Sequence, residues 1–357
     1  MIRVISTKQT ISPALRGSLC AVIGGIFWGF SGTCAQYLFS NFHVPPLWLS
    51  CTRLFFTAII LTVLALLRHP AACRDIWKDH RDAARLAAYG IFGLMACQSA
   101  YIMGISYSNA ATTTVLQTLS LVFILLITCA RVRRFPTKIE TAALLLALFG
   151  TFLLATGGKP GQLVISPAGL LWGLATAWAV VLYSMLPSKL LERYDRETVT
   201  ALGMVFAAVT LNLLCRSWRY DVQLPLRGWL AVAAIVVLGS VVSFSLIMQS
   251  IVDIGPSKSS MLASSEPLSA TVFSVLWLGT SFSGTDLIGF AAIISTIFLL
   301  TRPDKNTASR LSRRNVIELP AVIGGSVIVI ARLDKMPGAP GILSGFFVGK
   351  TSSVREV

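Results

Sequence analysis

Ser264-Ser265-Glu266-Pro267-Leu268 sits near the middle of an apolar run from about Pro256 to Gly279. That run is long enough to cross a bilayer, because a span takes ~20 residues at ~1.5 Å each. A carboxylate at the bilayer centre costs ~2.5–3.5 kcal/mol on insertion scales. Pro267 has no backbone N–H to donate, and its ring clashes with the carbonyl of Ala263 four residues back. One turn therefore joins an ionisable group, a loosened helix and two hydroxyls. Hydrocarbon does not tolerate that combination, whereas a protein-lined cavity does. Two readings follow. Glu266 stands at the centre of a polar pathway through the membrane, or it is tied to a neighbouring helix for packing alone.

The chain around it reads as ten apolar runs. The first five are Gly17–Leu38, Pro46–Leu67, Leu86–Ser106, Ala110–Ala130 and Thr141–Thr156. The second five are Pro167–Leu186, Thr198–Cys215, Gly228–Val252, Pro256–Gly279 and Leu287–Thr301. Short connections make sequential spans antiparallel neighbours. Lysine and arginine orient them. Arg3, Lys8 and Arg16 precede the first run, and Arg68, Arg74, Lys78, Arg81 and Arg85 follow the second. Arg131, Arg133, Arg134 and Lys138 fall after the fourth, and Lys189, Arg193 and Arg196 after the sixth. The opposite side carries Lys159 and one exception, the loop with Arg216, Arg219 and Arg227. Both termini are expected in the cytoplasm.

Composition agrees. Of 357 residues, 55% are hydrophobic and 13% charged, with mean hydropathy +0.74. A soluble domain carries roughly twice that charge fraction. A net charge of +15 would point to nucleic acid in a soluble chain. Here the basic residues lie between apolar runs and set topology, so no nucleic-acid partner is expected. The seven cysteines are scattered without a CxxC pair, which supports neither a disulfide framework nor a zinc site. The first apolar run exceeds the 7–15 residues of a signal-peptide core, so it reads as an uncleaved span.

The chain also repeats itself weakly. Gly25-Ile-Phe-Trp28-Gly29 resembles Ala175-Thr-Ala-Trp178-Ala179, Leu54-Phe-Phe56 resembles Met204-Val-Phe206, and Ala143 to Leu153 resembles Gly289 to Leu299. Five spans per copy is an odd number, so the second copy enters the membrane from the opposite side. That is the inverted-repeat arrangement of secondary transporters, whose site lies near the midplane between the copies. The expected fold is an all-α membrane protein of ten transmembrane helices in two inverted five-helix repeats. Gly25 and Gly29, and Gly169 and Gly173, offer close helix packing in spans one and six.

Only Arg53 and Glu266 are ionisable well inside the runs. Arg53 lies about two turns into span two; it either holds or gates structure or touches substrate directly. Polar stripes mark four other places. Span four carries Thr113, Gln117 and Ser120, and span three carries Gln98 and Tyr101. Span eight carries Ser245 and Gln249, and span nine carries Ser259, Glu266 and Ser269 beside Ser265. Stripes on repeat-related helices point to a shared wet cavity; separate interhelical hydrogen bonds are the other reading. Trp28, Trp178 and Tyr183 are candidate aromatic walls. The three histidines, His43, His69 and His80, lie in loops, so a buried histidine relay is absent.

Phe27-Trp28-Gly29, Thr52-Arg53-Leu54-Phe55, Asn109-Ala110-Ala111-Thr112-Thr113-Thr114-Val115-Leu116-Gln117 and Ser264-Ser265-Glu266-Pro267-Leu268 together resemble the EamA-type transporters of the drug/metabolite transporter superfamily. The likeness covers residues 15–302 and is to the family's bacterial inner-membrane branch. It implies a cytoplasmic N-terminus over 1–16, one repeat over 17–156, a second over 167–302, and a basic, Gly/Pro-containing cytoplasmic tail over 303–357 that is loosely ordered. Within that tail Ala321–Ala331 is apolar but too short to span, and is a candidate for surface contact. The likeness also implies an inner-membrane transporter for export or uptake of small metabolites, with amino-acid exporters among the family's members; export by alternating access, coupled to protons, is the expectation for this chain. Glu266, Gln117, Thr113, Ser120, Gln98, Tyr101, Gln249, Ser265, Trp28 and Tyr183 are the expected substrate and proton pathway, with Pro267 and Arg53 as gating or structural residues. The first repeat has Leu121 where the family has a proline, so a paired hinge is expected to be lost there.

No cofactor or metal is called for. The expected partners are a small-molecule substrate and the lipid bilayer, with the chain a monomer or homodimer. An intramembrane enzyme needs a nucleophile with a base, or a metal; the chain has no HExxH and no GxSxG. A non-transporting sensor or scaffold would carry its signal in the basic tail. Deleting residues 303–357 separates these readings: transport by the core survives within about twofold in a vesicle flux assay, whereas a tail-driven sensor loses its output.

Overall fold

The computed structural model describes residues 12–159, 163–301, 321–323 and 326–328. Ten long helices build the body: α1 (Pro13–Phe42), α2 (Pro46–Arg68), α3 (His80–Tyr107), α4 (Ala110–Gln117 and Ser120–Val132) and α5 (Lys138–Thr156), then α6 (Pro167–Met185), α7 (Arg196–Cys215), α8 (Leu226–Ile254), α9 (Pro256–Ala263 and Ser265–Leu278) and α10 (Gly284–Thr301). Nine described helices are long and apolar enough to cross a bilayer; α10, apolar over Gly284–Leu300, is shorter. The remaining strand structure is a hairpin in the tail, Ala321–Ile323 paired antiparallel with Ser326–Ile328. The other expectations for residues 303–357 fall outside the described residues.

Local chemistry sets the helix ends. Proline occupies the first turn of α1, α2 and α6, where its missing N–H costs nothing. Ser12, Ser166 and Asp195 cap α1, α6 and α7 with side-chain oxygens. Thr137 and Glu140 close a reciprocal capping box on α5. Gly157 and Gly279 take left-handed φ after α5 and α9, where a Cβ would be strained.

The irregularities are paired between the halves. α3 widens into a π-helix over Tyr89–Met95, and α8, its repeat mate, over Val237–Val242. α9 breaks at Ser264, whose amide bonds the Met261 carbonyl three residues back at 3.4 Å. α4 breaks at the matching place. There Thr118 and Leu119 bond to Val115 and Leu116 in the tighter three-residue pattern. The expected loss of the first-repeat hinge is therefore corrected: the break persists with Leu121 in the place of proline. Thr118 supports it by donating its hydroxyl to the Val115 carbonyl at 2.7 Å.

Helix neighbours follow an approximate two-fold. α1 packs on α8 and α9, and α6 packs on the matching α3 and α4. α2 packs on α7, α5 on α10 and α4 on α9, each helix meeting its own mate. The α1–α9 contact is close. A Cβ on Gly29 would fall onto Ser269 Oγ and the Glu266 carbonyl, and one on Gly25 onto Ser265 Oγ. In the matching contact a Cβ on Gly173 would meet Leu116 at 2.5 Å. The repeated glycines of spans one and six thus do the packing read for them.

Ion pairs between the halves gather at the face holding the start of α1. Arg16 pairs with Asp253 at 2.7 Å, Arg68 with Glu197 at 3.1 Å, and Arg193 with Asp82 at 2.9 Å. Asp82 is fully buried and also accepts from Arg85 at 2.8 Å and from Tyr194. Asp79 beside it is held below the usual carboxylate range by the Arg81 backbone N–H and by Arg193. The opposite face is joined, among the described residues, without an ion pair; Arg227 lies over the Phe42 ring at 5.3 Å. There Gln36 accepts from the Ala110 amide and Ser274 and donates to Thr280, while Cys34, Leu38, Leu49, Tyr101, Ile102 and Ile235 form an apolar plug.

Substituting Gly29→Ala should destabilise by about 1–3 kcal/mol, the usual cost of overpacking. It lowers the melting temperature in detergent, whereas Gly284→Ala, where no atom lies within 4 Å of the added carbon, leaves it unchanged.

Candidate functional site

Glu266 reaches the centre of the protein because α9 is broken and docked. The break at Ser264 places Glu266 in the first turn of a new helical segment, where unpaired N–H groups favour a carboxylate. Ser265 donates to the Val22 carbonyl at 3.0 Å, and Ser269 to the Glu266 carbonyl at 2.9 Å. These bonds and the glycines of α1 fix the segment, so the Glu266 side chain has one direction to take. It faces a cavity between the two halves.

The wall of that cavity draws on both halves. Trp28, Arg53, Gln98, Tyr101 and Gln117 come from the first, and Tyr183 and Glu266 from the second. Seven residues singled out in the sequence thus meet around one space. Tyr101 bonds Thr114 at 3.0 Å, which fixes its ring. Trp28 meets Phe244 edge-on with ring centroids 5.9 Å apart, and Tyr183 stacks on Tyr89 at 5.8 Å.

Other expected residues stand off the wall. Thr113 is fully buried and bonds Ser108 at 3.0 Å where α3 and α4 join. Ser120 is buried, and its hydroxyl has no partner. Gln249 bonds Asp253 at 3.0 Å, beside the Arg16 ion pair at the face. Ser265 is taken up by α1, and Pro267 is buried behind Glu266. Trp178 is corrected from an aromatic wall to an outward residue, about half exposed against Phe123. Lipid is a suitable neighbour for an indole, so its likeness to Trp28 is positional only.

The cavity also uses residues that the stripes did not indicate: Leu94, Cys97, Met204, Gly239, Ser240 and Phe244. Ser240 lies in the π-helical stretch of α8, which turns its face away from the Ser245 and Gln249 stripe. A regular helical count has no signal for that shift. Glu266 in the second repeat matches Ser120 in the first, so the acid has no counterpart across the two-fold.

Arg53 is the second charge on the wall. It is buried, and its Nε donates to Ser240 Oγ at 3.3 Å while Nη1 has no partner. No carboxylate, Glu266 included, lies within ion-pair distance of it among the described residues. A buried unpaired cation costs stability that packing does not return. Such strain is held where a ligand supplies the missing partner. Among the described residues no group of three His, Cys, Asp or Glu side chains could hold a metal.

The chain matches the EamA-like transporter family twice, over residues 15–156 and 167–302. It is 35% identical over 295 residues to a protein of Salmonella typhimurium named "Uncharacterized inner membrane transporter YicL", covering 82% of this chain and 97% of that one. It is 23% identical over 185 residues to an "Uncharacterized transporter" of Archaeoglobus fulgidus, covering 52% of this chain and 62% of that one. A crystal structure titled only as that of a protein superposes with a TM-score of 0.55 at 21% identity, over 82% of this chain and 99% of the other. That likeness concerns the fold alone.

Replacing Arg53 tests whether the cation is structural. Arg53→Met should keep or raise the melting temperature, since a buried unpaired charge gives way to an apolar chain of similar length. A fall equivalent to roughly 3 kcal/mol or more would instead mark Arg53 as a packing element.

Proposed function

This chain belongs to the EamA-like transporter family, and from that premise we propose that it moves a small zwitterionic metabolite, an amino acid or a close relative, across the inner membrane by alternating access. Family membership makes it a multi-pass membrane transporter rather than an enzyme. Its substrate, direction and coupling are our reading. The observation that carries this reading is that two buried ionisable groups, Arg53 and Glu266, line one cavity without forming an ion pair among the described residues. A zwitterion brings a carboxylate for Arg53 and an ammonium for Glu266, and so satisfies both desolvated groups at once. Gln98 and Gln117 supply neutral donors and acceptors between them.

In this reading all ten helices span, both termini are cytoplasmic, and residues 17–156 and 167–302 rock against each other. The paired breaks in α4 and α9 and the π-stretches in α3 and α8 provide the bending points. Glu266 also takes up a proton when the ammonium leaves, because a carboxylate left alone in a desolvated site is costly in its charged form. The inward gradient of protons then drives export. A non-transporting scaffold has no need of two opposed, unpaired charges at its centre.

The test uses proteoliposomes and a pool of isotope-labelled amino acids, with an imposed pH gradient. The native protein accumulates at least one member of the pool. Glu266→Gln abolishes gradient-driven accumulation, by about tenfold or more, while retaining part of the substrate exchange that needs no net proton movement. Accumulation unchanged in Glu266→Gln removes the coupling role. No flux of any pool member in the native protein removes the zwitterion.

A further inference from the structure

Among the described residues no carboxylate pairs with Arg196, in a region where Arg16, Arg68, Arg85 and Arg193 each have one. Arg196 opens α7 and is half-buried, and its Nη1 lies 4.0 Å from Met248 Sδ. Nearby carboxylates are engaged elsewhere. Glu197 pairs with Arg68 at 3.1 Å and faces His69, and Asp195 caps α7 through the Thr198 amide.

Two smaller cavities meet at this residue. One, of about 280 Å³, is lined by Tyr89, Tyr183, Pro187, Leu191, Arg196 and Thr200 among others. The other, of about 440 Å³, lies among α2, α7 and α8, with Arg68, Arg196, Thr200, Phe244 and Met248 on its wall. Tyr183 lines both the first and the central cavity, and Phe244 both the second and the central cavity. Each ring therefore stands between the centre and a cleft that reaches Arg196, on the side where Arg68 pairs with Glu197. Toward the other face the central cavity ends at Tyr101, beyond which lies the apolar plug.

We propose that Arg196 is a specificity-determining residue outside the central site: it draws the anionic end of the substrate into a passage to the ion-paired face, with Tyr183 and Phe244 forming the narrow points between passage and cavity. This rests on the transport reading of the cavity. A guanidinium that lines two clefts and meets only a weak sulfur acceptor raises the local concentration of anions. Its planar fork suits a carboxylate, and the aromatic rings beyond it pass an apolar side chain while keeping the channel narrow.

The experiment needs no knowledge of the substrate. Cys97 lines the central cavity and serves as a native reporter. Thr200→Cys places a second one in the passage. Membrane vesicles of either orientation are treated with impermeant methanethiosulfonates, one carrying a sulfonate and one a quaternary ammonium, and adducts are located by mass spectrometry. Exposed reporters, Lys78→Cys and Leu163→Cys, identify the two sides. Both passage thiols should react from the Lys78 side and not from the Leu163 side. Arg196→Gln should slow the sulfonate reagent about tenfold with less than a twofold change for the ammonium reagent, and Arg196→Lys should restore most of the loss.

Reaction from the Leu163 side, no reaction at either thiol, or equal loss for both reagents would each overturn the proposal. So would unchanged rates in Arg196→Gln; if that variant also sheds a co-purifying anionic lipid, the cleft is a headgroup site instead. Failure of amino-acid flux with charge-selective labelling intact would strike the zwitterion and leave the passage standing.

Discussion

A charge can be kept inside a membrane protein only where protein, not lipid, surrounds it. Glu266 and Arg53 impose that condition on everything nearby. The acid needs a helix start beside it, which the break at Ser264 provides. That segment needs a close partner, which Gly25 and Gly29 allow by carrying no side chain. The cation needs space as well as burial, and it donates one bond to Ser240 across the repeat boundary. The cavity is where these demands meet.

The two halves are related by symmetry, but their chemistry is not. Ser120 stands where the second repeat has Glu266, and Leu121 where it has Pro267. The break survives in both. A proline enforces it in α9, and a tight turn with Thr118 donating its hydroxyl to the Val115 carbonyl maintains it in α4. The buried acid thus belongs to one helix of a symmetric frame. The faces divide in a similar way. One is closed by apolar packing and amide bonds, the other by ion pairs that water can compete for.

The stripes in the sequence were a good guide where helices are regular. Gln98, Tyr101, Gln117 and Glu266 keep their faces and reach the cavity. They misled where a helix changes pitch or where a polar side chain is claimed by its own backbone. Ser245 donates to the Val241 carbonyl on α8 itself, and Gln249 turns to Asp253. Past the π-stretch the cavity is met by Phe244 and Ser240 instead. A buried hydroxyl is as often a local cap as a contact for substrate, and spacing cannot separate the two.

The sequence by itself determined the membrane class, the repeat, the glycine contacts and the central acid, because each depends on cost per residue and on a period that side chains must obey. Only the tertiary structure decided that Arg53 and Glu266 share one space unpaired, that α4 bends without proline, and that Arg196 stands between two clefts. These are distances between segments far apart in the chain. Helix docking, and the small pitch changes of π-turns, fix such distances, and no local pattern of residues records them.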